Sequence, residues 1–490
     1  MKVSQRDKVT HLLNRFGLGA SEPEVEEYSA LGLDGAIDKL VNYDKIKPSH
    51  MEAQPWEFVF TKDGRVGMDP GRFAAYWAYR MVTTNRPMEE KLTLFWHNHF
   101  AVSGSKVEFG PMMLDYLATM RTNANGNFYT MLDAVAKTPA MLRWLDTDTS
   151  LKGKPNENFA REVMELFTLG IGNYTEKDVQ QAARAFSGWN VRYPYYEIGK
   201  MPETSRVRFA VEHDLPMAAF QDSPMLHDND HKTVLGVTGM LTAGDILKMV
   251  AHSPITAKRM SKKLWEFFVY AKPEPEVVDR IAKVWTDSNL DIRKTMLAIA
   301  HSPEFYSEKA VGTLVKSPVD FSVGAMRQAG AGEVMLKRRA EFASFDLPMD
   351  GQVFGDSYAV FRNMANQGLG LLFPPDVSGW RWGASWVSAS GTLDRIKFHD
   401  FVLGARGANS FAYPLFKNLV DNAQKMTDEQ VVDKILDRFA VKMAPDKKKI
   451  LASIVTKSGG AKSMKKLPDA IAMTRKVGRI VFGSPEYQLC

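Results

Sequence analysis

The 490-residue sequence has a single cysteine, Cys490, so neither an internal disulfide bond nor a cysteine-rich metal cluster can form. No stretch approaches the roughly twenty consecutive apolar residues of a membrane span, and no span is expected. The first twenty residues also lack the uninterrupted apolar run of a secretory signal, because charged residues break it. We therefore expect a cytoplasmic protein, or an exported one if a leader has been removed.

Aromatic residues are missing where the positive charge is densest. The net charge of +6 comes partly from seven lysines of the last fifty residues, Lys447, Lys448, Lys449, Lys457, Lys462, Lys465 and Lys466. A surface that stacks nucleic-acid bases needs aromatic side chains among its cations. We interpret these lysines as a solvated helical face, and nucleic acid is not an expected partner.

Hydrophobic residues make up 45% of the chain and charged residues 24%, which are ordinary values for a folded globular protein. Apolar residues recur every three and four positions, for example in residues 26–41 and 72–85, as in amphipathic helices. Ser-Pro occurs before four further helical segments, where serine can cap the helix and proline can occupy its first turn. The predicted fold class is mainly α, a large multi-helix globular fold.

One stretch departs from the helical spacing. Residues 188–215 alternate aromatic, β-branched and polar residues on both sides of a Gly-Lys-Met-Pro turn, which predicts one small inserted β-hairpin within 189–212. Residues 221–239 are rich in Asp, Asn, Gly and Pro and predict a loop. We divide the chain into an N-terminal helical region 1–187, a hairpin and polar loop 188–240, and a C-terminal helical region 241–490, all within one continuous domain.

Two histidines, His97 and His99, lie one residue apart in the apolar segment KLTLFWHNHF, residues 91–100. If residues 88–101 are helical, the two rings lie about 200° apart around the axis and cannot share one metal ion. If the helix ends at His97, both rings can converge in the following turn. The sequence leaves two interpretations, a pair of metal ligands or ordinary polar residues of a helix.

A second group of polar residues lies on a helix predicted between capping asparagines and glycines, residues 156–172. Asn158, Glu162 and Glu165 are spaced by four and three, which places them on one face beside Arg161. Two carboxylates on a face flanked by apolar residues can bind a metal or act as acid and base, with Arg161 orienting them. The alternative is a surface helix with an ion pair between Arg161 and Glu165.

A third group lies in the polar segment LHDNDHKTVLG, residues 226–236, which contains His227, Asp228 and Lys232. So many ligand-type residues without cysteine suit a divalent metal such as zinc, iron or manganese. Solvated loop polarity explains them equally well. The sequence contains no G-x-S-x-G elbow, no P-loop and no dinucleotide-binding glycine motif, so hydrolysis by a Ser-His-Asp triad has no support.

Residues 368–386, which we call the Gly/Trp loop, combine four glycines and two prolines with Trp380, Trp382 and Trp386. So long a loop in a compact domain is usually functional or specially packed. The three tryptophans either cover the core or form an aromatic wall for a ligand.

Seven segments together resemble a bacterial family called domain of unknown function 1800: residues 11–20, 91–101, 156–170, 183–189, 227–236, 263–269 and 372–386. In the family motif H-D-x-G-x-K, Asp230 stands here in place of glycine, while His227, Asp228 and Lys232 remain. The resemblance implies a large, mostly helical bacterial protein with a companion protein encoded nearby. It implies no activity, but it covers all three polar groups described above.

Two hypotheses of different classes follow. The first is a metal-dependent hydrolase or oxygenase with an unknown substrate. Its ligands would be His97, His99, His227 and Asp228, with Glu162 and Glu165 as further ligands or the general base. The second is a non-catalytic helical scaffold or binding protein, in which these residues form a buried hydrogen-bond network.

Overall fold

The computed structural model of the protein describes residues 4–48, 54–61, 65–342, 351–404 and 406–490. Over these residues the chain is 66% helical, with only two small two-stranded antiparallel sheets. The mainly α fold class predicted from the spacing of apolar residues is confirmed.

The first half contains the helices α1 (Gln5–Phe16), α2 (Glu22–Ser29), α3 (Gly32–Val41), α4 (Pro70–Thr83), α5 (Pro87–His99), α6 (Gly104–Val107), α7 (Gly110–Asn123), α8 (Phe128–Ala136), α9 (Pro139–Trp144), α10 (Asn158–Glu162), α11 (Glu176–Ala185), α12 (Pro194–Glu197) and α13 (Glu203–Glu212). The second half contains α14 (Ala243–Ala251), α15 (Pro254–Phe268), α16 (Pro275–Asp287), α17 (Ile292–Ala300), α18 (Pro318–Ala329), α19 (Ala331–Phe342), α20 (Gly351–Asn366), α21 (Ala389–Val402), α22 (Tyr413–Asn422), α23 (Asp428–Arg438), α24 (Pro445–Lys457), α25 (Leu467–Gly483) and α26 (Pro485–Gln488).

The four Ser-Pro pairs that were predicted to begin helical segments, at Ser253, Ser302, Ser317 and Ser484, each do so. The side chains of Ser253, Ser317 and Ser484 accept backbone N–H groups in the first turns of α15, α18 and α26. Ser302 precedes a short 3-10 turn at Pro303–Tyr306. Proline fits the first turn because the N–H that it lacks would have no partner there.

The inserted β-hairpin exists, but its second strand lies further along the chain than predicted. Strand β1 (Trp189–Arg192) pairs antiparallel with β2 (Ala219–Asp222), and α12 and α13 lie between them. The residues after the Gly-Lys-Met-Pro turn form α13 because their three-residue spacing buries Val207 and Ala210 together in a small apolar cluster. That packing outweighs the local alternation.

The predicted loop at 221–239 contains a second, smaller hairpin. Strand β3 (Lys232–Val234) pairs antiparallel with β4 (Val237–Gly239). Leu235 and Gly236 between them both have positive φ, 50° and 80°. This is the backbone twist that joins two adjacent strands with a two-residue turn.

One large hydrophobic core extends from Val9 in α1 to Tyr487 in α26. Helix α5 has 12 buried residues, polar ones among them, and packs against α1, α3 and α7. Within the described ranges, no helix is long and apolar enough to cross a membrane. The region boundaries at 187 and 240 stay predictions.

Candidate functional site

His97 lies in the interior, 0% exposed, with partners at both ring nitrogens. The backbone N–H of Leu372 donates to Nε2 at 3.2 Å, so Nδ1 carries the proton and faces the Tyr116 hydroxyl oxygen at 3.4 Å. That hydroxyl donates to the carbonyl of Phe100 at 2.8 Å. Burial lowers the pKa of His97 to about 3, so the ring is neutral. His97 therefore fastens the Gly/Trp loop to α5.

The next two residues of α5 bind two further backbone positions. Asn98 Oδ1 accepts the N–H of Trp380 at 2.6 Å. His99 Nε2 donates to the carbonyl of Phe167 at 3.0 Å, and its Nδ1 accepts from Lys263 Nζ at 3.0 Å. Burial and neighbouring cations hold the pKa of His99 well below its usual value. We call residues 97–99 the α5 clasp.

The two histidines do not meet at one ion, because α5 continues to His99 and directs the rings to different partners. Neither ring hydrogen bonds to Glu162 or Glu165. In the part of the chain that the structure describes, no group of three or more His, Cys, Asp or Glu side chains could hold a metal ion. The ligand set of the metal hypothesis is therefore not assembled among these residues, and a bound zinc, iron or manganese ion stays a prediction.

The helix that carries the predicted carboxylates changes its winding. After α10, residues Val163–Phe167 form a π-helical turn, a feature frequent at functional sites. Glu165 Oε2 accepts the hydroxyl of Tyr174 at 2.5 Å. Burial and the nearby Glu165 raise the pKa of Glu162.

Arg161 forms its ion pairs with carboxylates other than Glu162 and Glu165, and its role in orienting those two stays a prediction. Its two Nη atoms donate to Glu176, each at 2.7 Å, and Nη2 also lies 3.4 Å from Glu157. The π turn begins just after Arg161, so Arg161 and Glu165 lose the usual one-turn alignment. Asn158 lies at the helix start, where its side chain reaches Asp146 at 3.5 Å.

The residues of the third polar group fold onto the end of α11. Arg184 donates to both oxygens of Asp228, at 2.8 and 3.1 Å, and this bond lowers the pKa of Asp228 to about 2. Lys232 Nζ donates to the carbonyl of Asp228 at 2.6 Å. His227 Nδ1 lies 2.8 Å from the carbonyl of Ser187. These contacts fasten the segment to the protein and do not bring it to the α5 clasp.

The three tryptophans of the Gly/Trp loop separate into two roles. Trp380 is 4% exposed and packs edge-on against His97, with ring centroids 5.2 Å apart. Trp386 is also buried and packs against Trp382 at 5.7 Å. Trp382 is half-buried, contacts Phe267 at 4.6 Å and lines a cavity. Two of the three therefore cover the core, and one lies at a pocket.

That cavity has a volume of about 310 Å³, at the small end of the range for ligand pockets. We call it the Arg15 cavity. Helices α1, α5, α15 and α18 and the Gly/Trp loop supply its main side chains, which are Arg15, Lys91, Glu266, Phe267, Asp320 and Trp382.

Arg15 is 2% exposed, yet much of its guanidinium is unpaired. Nη2 donates to the carbonyl of Ala310, whereas Nε and Nη1 have no hydrogen-bond partner among the described residues. Burial lowers the pKa of Arg15, and the charges of Cys490 and Asp320 oppose that shift. Each unpaired buried donor costs about 1–3 kcal/mol of stability.

Two buried cations, Arg15 and Lys91, line this cavity together with two carboxylates, Glu266 and Asp320, and two further buried cations, Lys316 and Arg395, lie near Asp320. Asp320 Oδ1 accepts from Lys91, and its Oδ2 accepts from the hydroxyl of Ser317 at 2.8 Å. Burial lowers the pKa of Lys316 to about 8 and that of Arg395 to about 10. The fields of Asp320 and Cys490 act on three of these cations: Arg15, Lys316 and Arg395. The surroundings of the cavity are therefore suited to an anion.

The sequence-based predictions included Trp382 but missed Arg15 and Lys91. A usable signal exists in α1, where His11 and Arg15 lie one turn apart on a helix whose other buried residues are apolar. A cation on the core side of a helix needs a partner or a ligand. Segments 11–20, 91–101, 263–269 and 372–386, which carry the family resemblance, each supply at least one side chain to the cavity.

A family described as "Protein of unknown function (DUF1800)" matches residues 11–489, nearly the whole chain. No curated protein and no solved structure matches this chain.

Proposed function

We propose that this chain, which belongs to the DUF1800 family, binds a small organic anion in the Arg15 cavity. The family's description contains no activity, so the proposal rests on the residues of the cavity. It develops the hypothesis of a binding protein. The metal-dependent hydrolase or oxygenase stays a sequence-based prediction, since its ligands are not gathered in the described residues.

The observation that carries the proposal is the unpaired guanidinium of Arg15. Buried polar groups in folded proteins nearly always have partners, and a buried charge without one is strongly disfavoured. Here two nitrogens of a cation that is 2% exposed have none among the described residues, and the residue borders a cavity. A carboxylate in the cavity would supply acceptors to Nε and Nη1 through charge-assisted hydrogen bonds.

The other cavity walls favour a flat ligand with several acceptors. Phe267 and Trp382 present two aromatic rings at an interplanar angle of 71°. The indole Nε1 of Trp382 is buried without an acceptor among the described residues, so it is a further donor beside the cavity. Both oxygens of Asp320 already have partners, Lys91 and Ser317, so this carboxylate is not a free base. A planar carboxylate fits these donors and rings.

Isothermal titration with three probes tests the proposal: benzoate, acetate and the neutral benzamide. We expect benzoate to bind most tightly, acetate more weakly because it lacks the ring, and benzamide not measurably because it lacks the charge. Arg15→Met should weaken benzoate binding about ten- to a hundredfold, the value of a charge-assisted hydrogen bond.

Arg280→Met is the matched control. Arg280 is half-exposed, pairs with Glu304 at 2.9 Å and does not line the cavity. Arg280→Met should leave the affinity for benzoate unchanged. Equal binding of benzoate and benzamide, or equal losses in the two arginine variants, would contradict the proposal.

A further inference from the structure

A second cleft lies between the π-helical turn and α15. The residues of α15 that line it precede Lys263, whereas Phe267, which lines the Arg15 cavity, follows Lys263. The volume of this second cleft is about 450 Å³. We call it the Glu165 cleft. Glu165 and Gly170 line one side of it, and Lys258, Arg259 and Lys262 of α15 line the other. None of these residues lines the Arg15 cavity.

Arg259 is the central cation of this cleft. Its Nη2 donates to the carbonyl of Leu166 at 3.3 Å, whereas its buried Nε has no partner among the described residues. Burial lowers the pKa of Arg259, and the charge of Glu165 opposes that shift without forming an ion pair. Gly170 lies so close that an added Cβ would be 2.8 Å from Nη1. The guanidinium of Arg259 therefore lies against the backbone near Gly170, and its Nε has no hydrogen-bond partner among the described residues.

Lys263 adds a second cation one turn further along α15. Its side chain is half-buried, and its hydrogen-bond partner is the neutral ring of His99, at 3.0 Å. No described carboxylate forms an ion pair with Lys263 or Arg259. Burial and the like charge of Arg259 lower the pKa of Lys263 to about 7, so a nearby anion would favour the protonated form of Lys263 and stabilise the charge of Arg259.

The two lysines at the edge of the cleft differ. Lys258 pairs with Asp279 at 2.7 Å, so its charge is already neutralised. Lys262 is exposed and has no ion pair with a described carboxylate. Glu165 is the one carboxylate among the described lining residues, and the Tyr174 hydroxyl donates to it at 2.5 Å. Free positive charge therefore exceeds negative charge in the cleft.

We propose that the Glu165 cleft is a second anion site, which takes the phosphoryl group of a phosphate monoester between Arg259 and Lys262. A dianionic group with three acceptor oxygens can contact the guanidinium of Arg259 and the amine of Lys262 together, since both residues line the cleft. The cleft is open, and Ile171 beside it is 81% exposed, so an organic remainder has an apolar surface to contact. This inference does not depend on ligand binding in the Arg15 cavity.

Isothermal titration of the full chain with inorganic phosphate, at low ionic strength, tests the inference. Arg259→Met should weaken phosphate binding about ten- to a hundredfold, because it removes a charge-assisted contact. Lys262→Met, at an exposed position that tolerates substitution, should weaken it about three- to tenfold. Glu165→Gln should tighten it several-fold, because it removes the repelling carboxylate.

Two further variants separate this site from other sources of binding. Lys283→Met is the matched control, since it removes the same charge from an exposed lysine that pairs with Asp287 at 2.6 Å and does not line the cleft, and it should change the affinity no more than about twofold. Arg15→Met should have no effect. Equal losses in Lys283→Met and Lys262→Met would show a nonspecific charge effect and overturn the inference. Loss in Arg15→Met with full binding in Arg259→Met would also overturn it and place phosphate in the Arg15 cavity.

Discussion

The α5 clasp and the Arg15 cavity both place polar side chains deep in a helical core, but they differ in how these side chains are paired. In the clasp, both nitrogens of His97, both nitrogens of His99 and the carbonyl oxygen of Asn98 have partners. In the cavity, two nitrogens of Arg15 and the indole nitrogen of Trp382 have none among the described residues. Pairing therefore separates residues that hold the fold from residues available to a ligand.

The two regions should therefore respond differently to substitution of their polar side chains. Removing one partner of a satisfied buried hydrogen bond leaves the other unpaired, which costs stability. Removing a donor that already lacks a partner removes an existing cost. The clasp should be sensitive to substitution in the free protein, and the cavity should be sensitive only when a ligand is present.

The largest difference is expected between two tryptophans of the same loop. Trp380→Ala removes a buried ring from His97 and should lower the free energy of unfolding by about 3–5 kcal/mol. Trp382→Ala removes a half-buried ring at the cavity and should cost at most about 1.5 kcal/mol while weakening benzoate binding. Denaturant unfolding and calorimetric titration measure the two effects. Equal losses of stability would remove the distinction between core and cavity.

The next difference is expected between two buried arginines. Arg395 donates to Gln367 at 2.8 Å, to Gln488 at 2.7 Å and to the carbonyl of Lys316 at 2.8 Å. Arg395→Met leaves these three acceptors without a donor and should lower the free energy of unfolding by about 3 kcal/mol. Arg15→Met leaves one carbonyl without its donor but also removes an unpaired charge. It should therefore change the free energy of unfolding by less than about 1 kcal/mol in either direction. Urea unfolding measures the loss of stability in both variants. A larger loss for Arg15→Met than for Arg395→Met would contradict the assignment of Arg15 as the unpaired arginine.

A smaller effect is expected from pH. Lys316 in the folded protein loses its proton near pH 8, because burial lowers its pKa from 10.5. Between pH 8 and pH 10.5 the unfolded chain binds more protons, so the stability contributed by this residue rises with pH, by about 2–3 kcal/mol overall. The unfolding free energy of the wild type relative to Lys316→Met should therefore rise from pH 7.5 to 9.5. A flat difference would mean that the cations near Asp320 are better neutralised than we infer.

Much of the fold follows from local rules that act within a few residues. Helix spacing and the Ser-Pro starts could be predicted, because capping and amphipathicity depend on near neighbours, whereas the sequence left open whether α5 ends at His97 or beyond His99. The partner of β1 could not be predicted, since α13 forms by packing on Tyr195 and Met217, which lie outside it in the chain. Strand pairing of this kind depends on tertiary contacts.

The site was predictable only in outline. The polar segments around His97 and Glu165 were found, but the partners of the α5 clasp include backbone groups as distant as Leu372, which residue type does not reveal. Arg161 could not be placed, because the π turn that changes its alignment has no recognised spacing signal. Arg15 was missed because an arginine in an amphipathic helix is usually exposed, and its burial depends on the packing of distant segments.

The most direct test of the central claim is the thermal unfolding of wild type and Arg15→Met with and without benzoate. A ligand that binds only the folded state at a hundred times its dissociation constant stabilises it by about 2.7 kcal/mol. We predict that benzoate raises the midpoint of the wild type and leaves that of Arg15→Met unchanged, while the two midpoints nearly coincide without ligand. An equal rise in both proteins, or a collapse of Arg15→Met without ligand, would contradict the claim that Arg15 is held unpaired for an anion.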